Sequence, residues 1–268
     1  MAMTRRHGPS FWAQLAFTLL VCALLVVPVV LSMLAGVTVN YFVGIKSGLT
    51  LKWVEEVWHL YAGTIFLSMQ IAFACLACTL VLGVPAAYVL ARKQGPIART
   101  IEELLVMPVA VPGLATALAL IVAYGGFGDF RSSWHFILVG HVLFTLPFMV
   151  RSVLAVLHSI DFATLEEGAA SLGAGFLQRF FHVVLPNCLS GILAGSLMVL
   201  TLSMGEFNLT WLLHTPMTKT LPVGLADSYA SMRLEIGSAY TLVFFAMIIP
   251  SLILLQVLAN RGRPRSDR

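Results

Sequence analysis

Residues 57–91 read VWHLYAGTIFLSMQIAFACLACTLVLGVPAAYVLA, a run closed by Glu56 on one side and Arg92 on the other, with no Asp, Glu, Lys or Arg inside it. A helix that crosses a bilayer needs about 20 predominantly apolar residues. A membrane strand would alternate apolar and polar positions, whereas this run is apolar on all sides. Five further charge-free runs follow the same rule, at 7–45, 104–128, 132–150, 180–205 and 236–260, each at least 18 residues long. Over all 268 residues the mean hydropathy is +0.92, with 59% apolar and 10% charged residues. An ordinary soluble domain carries about 25% charged residues. So few charges cannot cover a soluble surface, and the low hydrophobicity of disordered chains is missing. The expected fold is therefore all-α, a polytopic membrane protein with six transmembrane helices near 12–36, 62–90, 104–125, 134–157, 191–213 and 238–259. Pro28, Pro85, Pro108, Pro112, Pro147 and Pro250 fall in these segments and suggest kinks, which membrane helices tolerate.

Six spans put both termini on one side. That side collects Arg5, Arg6, Arg92, Lys93, Arg99, Arg151, Arg179, Arg261, Arg263, Arg265 and Arg268, against Lys46, Lys52, Arg131, Lys219 and Arg233 opposite. Basic residues accumulate on the cytoplasmic side, so both ends are expected there. The net charge of +4 then reflects topology, and no nucleic-acid partner is expected. The first apolar run exceeds the 7–15 residues of a signal-peptide core and lacks a clear small-x-small cleavage site, so it reads as an uncleaved anchor.

Several kinds of chemistry are excluded. No Gly-rich loop ends in Gly-Lys-Ser/Thr, so the chain has no P-loop for ATP. The four cysteines show no repeated spacing, which argues against a disulfide scaffold. Cys75 and Cys78 lie inside an apolar span without a charged neighbour and read as small buried residues. The seven histidines form no pair at ligand spacing beside a carboxylate, so no metal site and no catalytic residue is expected. Asn208-Leu209-Thr210 matches a glycosylation sequon but sits in an apolar span.

The longest polar segment, 158–190, separates the fourth and fifth spans. Thr164 with Glu167 three residues later is a capping-box pattern, so a helix is expected to begin there. Gly173 suits its C-terminal cap, giving a helix of two to three turns. A second amphipathic helix follows, with Phe176, Leu177, Phe180, Phe181 and Val184 at helical spacing and Pro186 leading into the fifth span. Small residues Gly168, Ala169 and Ala170 allow close approach of another protein. On these residues alone, docking and an interfacial helix lying on lipid headgroups stand level.

Glu167-Gly168-Ala169, then Gly173, then Val183-x-Leu185-Pro186 resemble the EAA loop of ABC importer permeases, whose pattern is E-A-A, three residues, G, nine residues, I-x-L-P. Gly168 replaces the first Ala and Val183 the Ile, and a mid-helix Gly costs up to about 1 kcal/mol. Gly83 to Arg92 at the end of the second span and Met107 to Gly113 entering the third also resemble that family, so the likeness covers about 50–255. The resemblance implies a type I importer permease in a bacterial inner membrane. It implies an N-terminal anchor and external loop (1–61), a permease core (62–260) containing a cytoplasmic coupling loop at 158–190, and a basic tail (261–268). Glu166, Glu167, Gly168, Ala169, Ala170, Gly173, Leu185 and Pro186 map onto the coupling segment, with Glu167 expected to contact the ATPase. The implied partners are an ATPase dimer, a second permease subunit, identical or related, a solute-binding protein and membrane lipid. ATP is expected on the ATPase, with no cofactor on this chain.

Glu206 falls within the fifth span, in Ser203-Met204-Gly205-Glu206-Phe207-Asn208-Leu209-Thr210. An intramembrane carboxylate faces a bundle interior or a watery cavity. Glu206, Asn208 and Thr210 are thus candidate pathway residues, and a structural Glu bonded to a neighbouring helix is the other reading. Gly191 and Gly195 form a small-xxx-small pair suited to close helix packing. The segment resembles the permease branch for polyamines, ferric iron, sulfate-like anions and 2-aminoethylphosphonate, which points to a small, amine-bearing polar solute. The competing function is a proton-coupled secondary carrier using Glu206, although the two halves show no internal repeat of the kind such carriers carry. An integral-membrane enzyme would need His, Asp or Cys clustered at one face, and the sequence has no such cluster.

Overall fold

The computed structural model describes residues 9–93 and 95–261. Arg5, Arg6 and the expected tail from residue 262 onward lie outside the described residues. Among the described residues there is no strand, only one isolated bridge between Thr38 and Leu49. The principal helices are α1 (Pro9–Ala35), α2 (Lys52–Arg92), α3 (Pro96–Ala110), α4 (Gly113–Tyr124), α5 (Trp134–Ser159), α6 (Phe162–Ser171), α7 (Phe176–Asn187), α8 (Leu189–Gly205), α9 (Asn208–Leu213), α10 (Leu221–Ala230) and α11 (Leu234–Arg261).

α1, α2, α5 and α11 are each long and apolar enough to cross a membrane. The pairs α3–α4 and α7–α8 bend by 102° and 71°, and six spans result when each pair counts as one. Two expected spans are therefore not single helices. The third breaks at Val111 and Pro112, which take extended ψ values of 133° and 134°. A proline disfavours helical geometry at the residue before it, which accounts for the break at Val111. The fifth, expected over 191–213, stops at Gly205. Glu206 is extended, with φ −70° and ψ 121°, and α9 starts afresh at Asn208. Pro28, Pro85, Pro108, Pro147 and Pro250 all lie inside continuous helices.

The described chain divides into two compact units. One comprises the described residues up to 60 with 225–244. Within it Tyr41 N donates to Glu235 Oε1 at 2.9 Å, Trp53 Nε1 donates to the Thr38 carbonyl at 2.9 Å, and Arg233 pairs with Glu56 at 2.6 Å. α1 keeps its large apolar side chains exposed, as a lipid-facing helix would.

The other unit comprises 61–224 with the described residues from 245 onward. Its core packs α2 against α5 and α8 through Cys75, Tyr88, Met149, Val153, Leu157, Cys188 and Val199. α8 lies close enough to α5 that a Cβ on Gly191 would sit 2.5 Å from the Ser152 carbonyl oxygen. At Gly195 a Cβ would sit 2.8 Å from Met149 Sδ. The small pair expected from sequence is thus the point of closest helix approach, where dispersion contacts replace the hydrophobic effect that lipid does not provide.

Candidate coupling surface and buried polar network

α6 begins at Phe162, two residues before the expected start. The residue that caps it is Asp161, whose carboxylate accepts from Thr164 N at 3.3 Å and from the Thr164 hydroxyl at 2.7 Å. Asp is among the strongest N-caps, so it displaces the Thr164–Glu167 box. Those hydrogen bonds hold the Asp161 carboxyl below its ordinary value, so it stays ionised as the cap requires.

The helix ends as expected. Gly173 has φ +86°, its N–H donates to the Ala170 carbonyl at 2.9 Å, and Ala174 N donates to the Ala169 carbonyl at 3.1 Å. That bond pair is a Schellman cap, which requires a left-handed residue at the position of Gly173. A Cβ on Gly168 or Gly173 would meet nothing within 4 Å. Glu167, Gly168 and Ala170 are exposed and Ala169 half-buried. The glycines at 168 and 173 therefore serve no close packing within the chain.

Only Phe162 and Glu166 of α6 are buried. Glu166, 4% exposed, accepts from the Tyr88 hydroxyl at 2.7 Å and pairs with Arg179 Nη1 at 3.4 Å and Arg92 Nη1 at 3.7 Å. Tyr88 and Arg92 close α2, and Arg179 lies in α7. Phe180 packs edge-on to Tyr88 with ring centroids 5.4 Å apart. α7 passes through a π-turn at Phe180–Val184 before Leu185 and Pro186, which are half-buried and exposed respectively. A cleft of about 650 Å³ beside α6 is lined by Arg92, Lys93, Glu166, Glu167 and Arg179. Of the eight expected coupling residues, six lie on α6 and its cap, while Leu185 and Pro186 sit at the far end of α7.

A second polar cluster lies around Glu206. Its carboxylate accepts from Leu209 N at 3.0 Å, Thr210 N at 3.0 Å and the Thr210 hydroxyl at 3.0 Å. From the position before the N-cap residue Phe207, its side chain caps the start of α9, taking up donors that a helix start leaves without partners. The buried His141 ring bridges Ser203 Oγ at 2.8 Å through Nδ1 and Thr210 Oγ1 at 2.9 Å through Nε2. Because the single Thr210 hydroxyl proton goes to Glu206, donor counting assigns the His141 proton to Nε2 and leaves Nδ1 to accept from Ser203. At the other end of α9, Arg131 donates to the carbonyls of Leu213 at 2.7 Å and Leu212 at 3.3 Å. Its guanidinium lies over Phe136, 5.0 Å from the ring centroid. Of the other two candidate pathway residues, Asn208 is exposed, whereas Thr210 is buried in the network.

Tyr88, Arg92, Arg179, His141, Ser203 and Arg131 were not singled out by sequence reasoning as members of these clusters. His141 lies 62 and 69 residues from its two partners, a separation no local pattern reports. Among the described residues no group of His, Cys, Asp and Glu is placed to hold a metal ion.

Comparison with known proteins converges on one family. Residues 79–264 match the family model described as binding-protein-dependent transport system inner membrane component. The molybdenum transport system permease protein ModB of Escherichia coli strain K12 is 27% identical over 76% of this chain and 96% of its own length. The sulfate transport system permease protein CysW of Synechocystis is 28% identical, covering 73% of this chain and 75% of that protein. The putative 2-aminoethylphosphonate permease PhnV of Salmonella typhimurium is 27% identical over 85% and 82%. In fold, the chain is similar to a subunit of the MetNI methionine ABC transporter solved in inward-facing form. The TM-score is 0.59 at 18% identity, covering 77% of this chain and 95% of that one.

Proposed function

The chain belongs to the binding-protein-dependent inner membrane component family, and from that premise we propose that α6 is the surface on which an ATPase subunit docks. The chain is a permease subunit of an ABC importer, a multi-pass membrane transport component. One observation carries the docking reading: Gly168 and Gly173 keep their Cβ positions open to solvent on a helix closed at both ends by strong caps. A rigid, short, small-residue helix fits a groove on another protein at low entropic cost. A headgroup-lying helix would turn apolar side chains outward along its length; α6 exposes Leu165 and its cap residue Leu172, but between them it presents Glu167, Gly168 and Ala170.

In this reading Glu167 meets the ATPase directly, and closure of an ATPase dimer around ATP pulls α6. The permease then shifts between inward- and outward-opening states because the partner contacts differ between the two. A second permease subunit completes the pathway, and a solute-binding protein delivers the solute from outside. ATP stays on the partner. A proton-coupled carrier has no support from membership in this family. Asn208, exposed beside the break in the fifth span, is the residue of that segment we assign to the pathway, while Glu206 and Thr210 hold its shape.

For the solute we favour a small tetrahedral oxyanion or phosphonate. 2-Aminoethylphosphonate, one of the two amine-bearing solutes expected from the sequence, is named for a relative, as is sulfate. Uptake into vesicles carrying the full importer with its binding protein should be ATP-dependent and should select among sulfate, molybdate, 2-aminoethylphosphonate and a polyamine. Uptake of a polyamine in preference to every oxyanion would reject the solute class. Affinity purification of the chain should bring down an ATPase subunit, and ATP-independent uptake without one would reject the importer mechanism.

Both termini and α6 are assigned to the cytoplasm on the basic-residue split. Reporters fused after Arg99, near Ser171 and at Arg268 should register cytoplasm, and fusions near Thr50 and Thr218 the outside. An external signal at Ser171 would end the docking assignment.

A further inference from the structure

We propose that Glu166, held by Arg179, Arg92 and Tyr88, is the positioning residue through which α6 transmits its displacement to the membrane helices. The inference rests on the docking role of α6 and adds how a pull on that helix reaches the rest of the permease. The inner face of α6 consists of two buried side chains, Phe162 and Glu166. Phe162 joins the apolar core and resists separation without regard to direction. Glu166 makes the directional contacts. Its carboxylate takes the Tyr88 hydroxyl at 2.7 Å and faces two guanidinium groups at 3.4 Å and 3.7 Å.

These partners come from two different elements. Tyr88 and Arg92 close α2, which continues into the membrane, and Arg179 stands in α7, which leads through the π-turn into α8. Glu166 is therefore the point where α6, α2 and α7 meet in one charge cluster. Arg92 Nη1 also reaches the Tyr88 hydroxyl at 3.3 Å, and Phe176 and Phe180 pack on the Tyr88 ring at 6.1 Å and 5.4 Å between centroids. Arg179 Nε is buried without a hydrogen-bond acceptor. Glu166 is thus the counter-charge of a largely buried guanidinium, and removing it leaves that charge without its carboxylate partner beside the π-turn. Neighbouring Glu167 points to solvent, so two consecutive glutamates have different tasks: one meets the partner and the other meets this chain's own helices.

The test uses the assembled importer in proteoliposomes and reads solute transported per ATP hydrolysed. Glu166→Gln keeps an acceptor for Tyr88 and loses the charge, Glu166→Leu loses both, and Arg179→Met removes the counter-charge. Arg179→Lys preserves the charge and is the conservative rescue. A cysteine at Ala170 crosslinked to the ATPase reports docking separately. The expected result is retained crosslinking and ATP hydrolysis, with solute per ATP falling about fivefold or more in Glu166→Leu and Arg179→Met, the low end of coupling between distant sites. Glu166→Gln should fall between these and wild type, and Arg179→Lys should stay near wild type. A wild-type solute-to-ATP ratio in Glu166→Gln and Arg179→Met overturns the proposal, whether or not the leucine variant assembles. Transport that falls only in step with membrane abundance, at an unchanged ratio, overturns it as well. Loss of the Ala170 crosslink in the wild-type background would instead reject the docking role of α6.

Discussion

A Gly173→Asp chain is expected to insert at wild-type abundance and to transport nothing. The position has φ +86°, and an L-residue in left-handed geometry costs about 1–2 kcal/mol. Folded domains have about 5–15 kcal/mol to lose, so the chain survives that strain. Nothing within the chain lies within 4 Å of the new Cβ. On the proposed docking role of α6, a complete loss of uptake would come from outside the chain, where the added carboxylate would meet an ATPase groove. Gly173→Asn separates the two effects, because asparagine tolerates the left-handed cap and carries no charge. Asparagine should retain ATPase co-purification and partial uptake, while aspartate loses both at normal abundance. Normal transport by both variants would take Gly173 out of the docking surface.

The second large effect is expected at Glu206. Leucine there strands Leu209 N and Thr210 N, both buried, and leaves the Thr210 hydroxyl only the long contact to the residue 206 carbonyl at 3.4 Å. Each buried donor left unmatched costs about 1–3 kcal/mol, and two together take a large share of the about 5–15 kcal/mol that a typical domain has. Glu206→Leu should therefore yield little folded protein. Glu206→Gln keeps one acceptor oxygen but turns an amide NH2 toward Thr210 N–H, so it should insert with a lowered unfolding midpoint. Thermal unfolding of the purified importer, read beside uptake normalised to abundance, distinguishes the cap from a pathway residue. A glutamine variant with an unchanged midpoint and altered solute preference would place the carboxylate on the pathway.

The two acidic positions show where sequence reasoning stops. Glu166 and Glu167 are adjacent, both acidic, and both within the loop pattern. One step along a helix turns a side chain by about 100°, so one faces the core and its neighbour faces solvent. Which one faces inward depends on Tyr88, 78 residues away, and on Arg92 and Arg179, and nothing local to 162–171 carries that information. The Glu206 cap illustrates the same limit. Its hydrogen bonds run only three and four residues forward, yet the apolar run around it reads as unbroken helix until Gly205 ends one helix and Asn208 begins the next.

Sequence by itself determined the four continuous membrane helices, because lipid cannot solvate a charge and a long charge-free run spans it as helix, whereas the breaks at Val111–Pro112 and at Glu206 came only with the structure. It also determined the Gly173 cap and the close approach at Gly191 and Gly195, since both depend on a missing Cβ at a single position. The tertiary structure alone decided that Glu166 binds inward, that His141 joins Ser203 and Thr210, and that Arg131 closes the far end of α9. Each of those contacts is made by side chains distant in sequence. A buried charge or imidazole takes whichever partners packing brings within hydrogen-bond reach, and that choice is made only when the helices meet.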